Sequence, residues 1–261
     1  MGLPMAVALH SVGFDCYGFD VRPSAEFPTF ADRMLPSLNG LLAEDTLWVV
    51  VRDQYQIDDI CFGEFAVFKQ PDYPKLLVVS STVSPKYIAK LKQSLPEDVT
   101  FVDAPMSGAP VAAIEKTLTF MIGGDESAVN QLMPAFNAMG TTTHYLGKTG
   151  QGMFAKVLNN YVAACNVISV RKSLAHAKEL GMPPQKLLDV INSSSGGNWF
   201  SSKLDAIDWS HEDYQPDNTF GILEKDVTAA LDVIDELYSD KDNFGHEMVS
   251  TLRQIPSLPD L

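Results

Sequence analysis

The sequence predicts an α/β domain followed by an all-helical domain, and three observations support this fold class. Strand-like and helical segments alternate from residue 1 to about residue 146, which is typical of a mostly parallel sheet wrapped by helices. One helical pattern then runs from residue 150 to residue 180 and stops at Gly181. About 30 helical residues span about 45 Å, enough for this helix to belong to both domains. Beyond it the strand signals cease.

Composition and charge exclude several classes of partner. The chain has 261 residues, 46% hydrophobic and 20% charged, which is enough for two globular domains. Its net charge of −14 argues against nucleic acid or an anionic membrane as partner, because phosphates would be repelled. No apolar run reaches membrane-spanning length and no basic leader opens the chain, so we expect a cytoplasmic or other reducing compartment. The three cysteines form no Cys-x-x-Cys and the five histidines show no ligand spacing, so we predict reduced thiols and no metal site.

The first elements are predicted to be a helix and a strand. Residues 1–11 have apolar side chains at helical spacing and are followed by Gly13, and residues 14–20 have the pattern of a short strand that ends in an acid. A helix followed by such a strand is the second half of a Rossmann βαβ unit, in which Asp20 would bind the ribose hydroxyls of a dinucleotide. A plain turn acid before Arg22 is the alternative interpretation of Asp20.

Apolar, β-branched runs and capping signals mark the remaining elements. Ser84 before Pro85 predicts the start of a helix. The predicted strands are residues 47–51, 76–80, 100–102, 117–122 and 142–146. The predicted helices are residues 86–95, 127–139, 184–191, 228–238 and 247–254. The loop that starts at Asp103 follows a strand, where open α/β sheets bind their ligands.

Lys156 and Asn160 are four residues apart in the long helical pattern, so a helix places both on one side. Their neighbours, such as Met153, Phe154 and Val157, are apolar. The pKa of a lysine can fall in such surroundings, and an acid/base group needs this because the free amine titrates far above neutrality. A solvated lysine and an asparagine near the first turn are the alternative, and the spacing alone favours that alternative.

Two motifs, in order, resemble those of the β-hydroxyacid dehydrogenases. The first is Asp-Ala-Pro-Met-Ser-Gly-Ala at residues 103–109, and the second is Gly-Gln-Gly-Met-Phe-Ala-Lys-Val-Leu-Asn-Asn at residues 150–160. This family includes the 3-hydroxyisobutyrate, tartronate semialdehyde and threonate dehydrogenases and is related to 6-phosphogluconate dehydrogenase. The resemblance extends from residue 1 to about residue 231. It implies a Rossmann-type, doubly wound α/β domain at residues 1–147, joined by the long helix to an all-helical substrate and oligomerisation domain at residues 148–261.

The resemblance implies NAD(P)-dependent oxidation of a β-hydroxy acid in a cleft between the domains. Lys156 would take the proton of the substrate hydroxyl, and Asn160 would orient the substrate or the amine. Ser107 and Gly108 would hold the substrate carboxylate, although a turn that requires a positive φ also explains Gly108. Asn198 could hydrogen-bond a substrate hydroxyl. A helix-capping loop, with the next residue Trp199 in the core, is the alternative for Asn198.

The resemblance also assigns residues to the cofactor, which is NAD or NADP. Asp20 favours NAD because its charge repels a 2′-phosphate, whereas Arg22 could receive one. The cofactor-binding residues implied are Gly2, Asp20, Arg22, Val51, Arg52, Gln56, Thr82 and Lys225. For Lys225, an exposed lysine on a helix is the alternative. The resemblance further implies a small-molecule hydroxy acid as partner and a homodimer or homotetramer.

The chain departs from the family pattern in three places. Only the last part of the glycine fingerprint is present, with Gly2 at its third glycine, so we expect an N-terminally truncated chain whose first strand is missing. Ala109 replaces a glycine of the substrate loop, and Lys116 stands where relatives have another glycine. These departures leave a competing hypothesis, a non-catalytic or defective paralogue that keeps the fold without turnover.

Overall fold

The computed structural model describes residues 1–39, 41–42, 45–237 and 241–258. The chain divides into two compact units, Met1–Lys156 and Val157–Leu261. In the described part of the first unit the strands are β1 (Thr46–Val49), β2 (Leu76–Val79), β3 (Thr100–Asp103), β4 (Met106–Ser107), β5 (Leu118–Gly124) and β6 (Gly140–Tyr145). Its helices are α1 (Gly2–Ser11), α2 (Gln54–Cys61), α3 (Pro85–Ser94), α4 (Ala109–Ile114) and α5 (Glu126–Met139), and α6 (Gln151–Glu179) begins there.

The sheet is mixed and mostly parallel, in the order β1-β2-β3-β5-β4, with β6 paired to β5. The pairs β1–β2, β2–β3 and β5–β6 are parallel, and β5 is antiparallel to β3 and to β4. Strand β2 shows how the sheet is covered, because successive side chains of a strand point to opposite faces. Val78 packs with α1, α4 and α5, whereas Leu77 and Val79 pack with α2 and α3. Helices therefore cover both faces, and the predicted doubly wound α/β fold is confirmed.

The predicted strand at residues 14–20 is wrong. The backbone pairing there is an isolated parallel bridge between Gly18 and Met34, made by Gly18 N–H donating to Arg33 O and Leu35 N–H donating to Gly18 O. Side chains in this segment, such as Tyr17, are largely exposed. A strand needs a ladder of neighbours on its side, and a single bridge leaves the segment irregular despite its aromatic residues Phe14, Tyr17 and Phe19.

The other predicted elements are confirmed, mostly to within one or two residues of their ends. Residue 238, the predicted end of the helix at 228–238, lies outside the described residues, and the helix α9 begins earlier, at Thr219. The predicted helix at 247–254 begins earlier as well, at Asn243, where Asp242 caps it by accepting from Gly245 N–H at 3.1 Å. The predicted cap of α3 is present, since Ser84 Oγ accepts from Lys86 N–H at 3.2 Å.

The second unit consists of helices and loops in its described residues. They are the rest of α6, α7 (Pro184–Ser193), α8 (Trp199–Ser202), α9 (Thr219–Leu237) and α10 (Asn243–Leu252). The all-helical prediction for this part of the chain is confirmed. Its core is built by apolar side chains of α6, α9 and α10, among them Val167, Phe220 and Leu252. No helix in the described ranges of either unit has the length and apolar character needed to cross a membrane.

Arg171 organises the loops around that helical core. Its side chain is 3% exposed, and its guanidinium donates to the backbone carbonyls of Ser210 at 2.5 Å, Glu212 at 3.0 Å and Pro256. It also lies over the ring of Phe220, 5.3 Å from the centroid. Burial lowers the pKa of Arg171 to about 10. One buried cation therefore fastens two loops to α6 through their backbone.

Candidate functional site

Asp103 joins the end of β3 to the first turn of α6. Its carboxylate accepts the N–H of Gly150 at Oδ1, at 2.6 Å, and the N–H of Met153 at Oδ2, at 2.7 Å. The residue is 0% exposed. Burial raises the pKa of Asp103 to about 6, an effect that the amides of Gly150 and Met153 partly oppose. The two motifs that carried the family resemblance are thus connected to each other by hydrogen bonds.

Three glycines allow this close approach of α6 to the sheet. A Cβ on Gly123 of β5 would lie 2.7 Å from Asp103 Oδ1, and a Cβ on Gly152 would lie 2.9 Å from Asp103 O and collide with Met121 O. Real Cβ atoms do not tolerate such contacts, so both positions need glycine. Gly150 has φ +92°, a backbone conformation that also favours glycine. Both glycines of the Gly-x-Gly string therefore have a structural reason.

Lys156 lies one turn beyond this junction, and its side chain is 8% exposed. Its helical neighbours Met153 and Val157 are fully buried. The alternative of a solvated lysine does not describe this residue. A largely buried lysine in the motif at residues 150–160 is compatible with the acid/base role predicted for it.

Ser107 and Gly108, the residues predicted to hold a carboxylate, connect β4 to α4. Ser107 is half-buried and pairs in register with Thr119 of β5. Gly108 has φ +137°, and a Cβ there would lie 2.5 Å from Ala112 Cβ, so the turn itself requires glycine. Ala109 has φ +56° and Lys116 has φ +59°. Both residues that replace family glycines keep a left-handed backbone that glycine would adopt without strain.

Serine hydroxyls tie the carboxyl ends of β1, β2 and β3 together. Ser80 Oγ accepts from Trp48 Nε1 at 2.8 Å and donates to Ala104 O at 2.7 Å. Ser81 Oγ accepts from Val51 N–H at 2.7 Å. The sequence analysis assigned no role to these serines, although two hydroxyls directly after a buried strand were an available signal. They fix the strand ends at which the candidate cofactor residues begin.

Apart from Gly2, the candidate cofactor residues of the first unit fall into three groups, the first two of which follow β1 and β2. Arg52 N–H donates to Gln56 Oε1 at 2.8 Å, directly after Val51. Thr82 is half-buried and precedes Val83, whose N–H donates to Met153 Sδ at 3.4 Å. The first contact brings Gln56 close to Arg52 and its neighbour Val51. The second connects the loop that contains Thr82 to the start of α6.

Asp20 and Arg22 form the third group and bind each other. Arg22 donates to both carboxylate oxygens of Asp20, from Nε and NH2 at 3.1 Å each, and its backbone N–H donates at 3.0 Å. The hydrogen bonds from the Arg22 side chain hold the pKa of Asp20 below its usual range. Gly2 lies elsewhere, at the start of α1, with Val50 of the β1 end as the neighbour that a Cβ would meet at 3.7 Å.

In the second unit, one buried carboxylate connects Asn160 and Lys225. Asp226 is 1% exposed and accepts from Asn160 Nδ2 at Oδ2, at 2.6 Å. Lys225 Nζ lies 2.8 Å from Asp226 Oδ1. Asp226 was not among the residues predicted from the sequence. Its position next to a candidate lysine was the signal available.

Asn198 is not brought together with these residues; it caps α8. Its Oδ1 accepts from Phe200 N–H at 3.0 Å and Ser201 N–H at 3.1 Å, and its Nδ2 donates to Gly196 O at 3.1 Å. The capping alternative for Asn198 is therefore present in the structure. The core residue of this loop is Phe200, which is fully buried, whereas Trp199 is 48% exposed. Across the described residues, no group of three or more His, Cys, Asp or Glu side chains could hold a metal ion.

Comparison with known proteins defines the class to which this fold and this site belong. Residues 1–147 match the NAD-binding domain of 6-phosphogluconate dehydrogenase, and residues 150–241 match the NAD-binding model of NADP-dependent 3-hydroxyisobutyrate dehydrogenase. The fold and these matches define an NAD(P)-dependent oxidoreductase. The first match covers more than half of the chain, which therefore belongs to the family with the 6-phosphogluconate dehydrogenase type of NAD-binding domain, among the 3-hydroxyacid dehydrogenases.

Individual relatives agree with this assignment. The chain is 28% identical to 2-hydroxy-3-oxopropionate reductase of Escherichia coli K12, over 88% of this chain and 80% of the relative. It is 28% identical to human mitochondrial 3-hydroxyisobutyrate dehydrogenase, over 89% of this chain and 72% of the relative. The solved Mycobacterium tuberculosis 3-hydroxyisobutyrate dehydrogenase with L-serine superposes with a TM-score of 0.79 at 26% identity, covering 96% and 88% of the two chains. The predicted family and NAD(P) class are confirmed, and a non-catalytic paralogue is not supported over a dehydrogenase.

Proposed function

We propose that this chain oxidises a small β-hydroxy acid at its alcohol carbon with NAD or NADP, and that Lys156 is the acid/base group. The observation that carries the proposal is the burial of Lys156, 8% exposed on a helix whose first turn is fixed to the substrate loop. An amine shielded from water can exchange its proton with a bound hydroxyl, which is what general acid/base catalysis requires. Lys156 would take the hydroxyl proton in oxidation and return it in reduction.

Three further residues of the two motifs, and Asn198 outside them, would bind the substrate. The hydroxyl of Ser107 and the amide of Gly108 would hold the carboxylate, a role supported by the half-buried hydroxyl and the glycine-dependent turn at φ +137°. Asn160 would orient the substrate, which is supported by the hydrogen bond that fixes its amide to Asp226. Asn198 would contact a substrate hydroxyl only if its capping bonds were exchanged, so this is the least supported of the four roles.

The start of α1 fits the pyrophosphate of a dinucleotide. Its N-terminal amides have no side-chain cap, its first turn carries no acidic residue, and Gly2 lies beside Val50 at the end of β1. Free amides at a helix start favour a bound anion. When bound, the nicotinamide supplies hydride chemistry at the alcohol carbon. Thr82, Lys225 and the residues Val51, Arg52 and Gln56 would contact this cofactor.

The Asp20–Arg22 pair supports the use of either NAD or NADP. Asp20 can accept from ribose hydroxyls, and Arg22 can bind a 2′-phosphate. Because Arg22 already binds both carboxylate oxygens, the repulsion that Asp20 alone would exert on a phosphate is reduced. NAD can then be bound through Asp20, and NADP through Arg22.

We also infer the division of labour along the chain. Residues 1–147 would bind the dinucleotide, and residues 148–261 would bind substrate and form oligomer contacts. The separate matches to residues 1–147 and 150–241 support a boundary between the two parts at this point of the chain. A homodimer or homotetramer is supported by exposed apolar side chains of the helical unit such as Val162 and Phe244. A reducing compartment such as the cytoplasm is supported by three free cysteines.

The test is steady-state kinetics of Lys156→Ala with 3-hydroxyisobutyrate and, in reduction, 2-hydroxy-3-oxopropionate. We expect kcat to fall about 10²-fold or more, the size of a lost acid/base group, while calorimetry gives an unchanged dinucleotide Kd. Lys172→Ala, an exposed lysine of the same helix, is the matched control and should keep its kcat. Wild-type turnover in Lys156→Ala would contradict the assignment.

A further inference from the structure

We propose that Asp103 is a positioning residue for Lys156. Its carboxylate fixes the first turn of α6 against the end of β3, and this determines the position from which the side chain of Lys156 extends. The proposal rests on the proposed function, in which Lys156 moves the proton. Asp103 accepts from Gly150 N–H at 2.6 Å and from Met153 N–H at 2.7 Å. Lys156 follows Met153 by three residues, less than one helical turn.

The connection is tertiary and not a local cap. Ordinary N-caps in this chain come from the residue that immediately precedes the helix, as when exposed Asp125 accepts from Ala128 N–H at 3.0 Å at the start of α5. Asp103 instead lies 47 residues before Gly150 and 50 before Met153. It therefore fixes the first turn of α6 relative to the sheet, which a local cap cannot do.

Direct contact with the substrate is excluded by burial. Asp103 is 0% exposed, and both of its oxygens are used by backbone amides. Burial raises the pKa of Asp103, so the cost of ionising a buried carboxyl group at neutral pH offsets part of the stabilisation that its two hydrogen bonds give. Without touching a ligand, these two bonds hold the start of α6 against the end of β3.

The carboxylate has a property that a neutral side chain lacks. Only an ionised carboxyl group offers an acceptor at both oxygens without carrying a proton on either. An asparagine of the same shape keeps one acceptor and turns an NH₂ group toward the other amide. Asp103→Asn should therefore loosen one of the two attachments while leaving the volume of the site unchanged.

The test compares Asp103→Asn with Asp125→Asn, the same change at the cap of α5, in the full chain. For Asp103→Asn we expect kcat to fall about 10–10²-fold, because a displacement of about 1 Å can cost that much. The KM and Kd for the dinucleotide should stay within about twofold of wild type. Asp125→Asn should keep wild-type kcat, since asparagine is an equally good cap.

Making Asp103→Asn in the Lys156→Ala variant distinguishes an effect that acts through Lys156 from a general loss of activity. If Asp103 acts through Lys156, Asp103→Asn changes the residual kcat of Lys156→Ala by less than about twofold. An equal fall of kcat in both backgrounds, a wild-type kcat in Asp103→Asn, or loss of the folded unit would each overturn the proposal. If Lys156→Ala itself keeps wild-type turnover, the proposed function fails independently of what Asp103 does.

Discussion

Glycine at position 116 should give a more stable protein than alanine at the same position. Inside helices and strands the order is the reverse, with alanine the more stable. Lys116 has φ +59° and closes the loop between α4 and β5. A left-handed backbone costs a residue with a Cβ about 1–2 kcal/mol. The extra freedom of glycine in the unfolded chain offsets about 0.4–1 kcal/mol of this. The net advantage of Lys116→Gly over Lys116→Ala is therefore about 0.5–1 kcal/mol.

The alanine variant is the control that isolates the backbone. Both variants lose the exposed hydrogen bond from Lys116 Nζ to Ser11 Oγ at 2.9 Å, so its contribution cancels between them. The assay is urea unfolding, with the two midpoints compared at equal m values. If glycine proves less stable than alanine by the roughly 0.5–1 kcal/mol seen inside ordinary elements, the strain argument is refuted.

Three further outcomes are expected. Ser107→Ala should lower kcat/KM for carboxylate substrates about 10–10²-fold, as one lost hydrogen bond to a charged group of about 1.5–3 kcal/mol implies; unchanged kinetics with every carboxylate would contradict it. Arg171→Met should destabilise the helical unit by about 3 kcal/mol or more, because three carbonyls lose a donor, whereas the exposed neighbour change Lys172→Met should stay within about 0.5 kcal/mol in the same denaturant assay. The pKa of Asp103 in the folded protein, about 6, lies above the 3.8 of an unperturbed aspartate. The unfolding free energy of wild type relative to Asp103→Asn should therefore fall between about pH 4 and pH 6 and then level off; a rise over that window would show the opposite shift.

Most of the fold could be predicted because its signals are local. The strand ending at Asp103 is an apolar, β-branched run, and the cap of α3 is written in Ser84 and Pro85. The segment at residues 14–20 has aromatic residues that favour a strand, yet strand formation depends on a neighbouring ladder that composition does not specify. It is held instead by one bridge, from Gly18 to Met34.

The candidate site was predictable in its residues but not in its connections. The motifs pointed to Lys156 and Asn160, whereas the carboxylate that bonds the first turn of α6, Asp103, and the one that bonds Asn160, Asp226, come from distant parts of the sequence. Hydrogen bonds between such positions have no period or spacing to detect. Asn198 shows the opposite case, since the capping interpretation rested on local sequence and the structure contains that cap.

Gly152 packs directly against the sheet. The number of residues from Gly152 to Lys156 therefore determines where Lys156 lies on the helix. Position 152 cannot accept a side chain, because Met121 O and Asp103 O occupy the space. The helix therefore has one allowed register at its start. Each residue of an α-helix turns by about 100° and rises about 1.5 Å, so inserting or deleting a single residue between Gly152 and Lys156 would swing the amine about a quarter of the way around the helix. The spacing of four residues therefore fixes the direction in which Lys156 points around the helix axis, relative to a position that accepts only glycine.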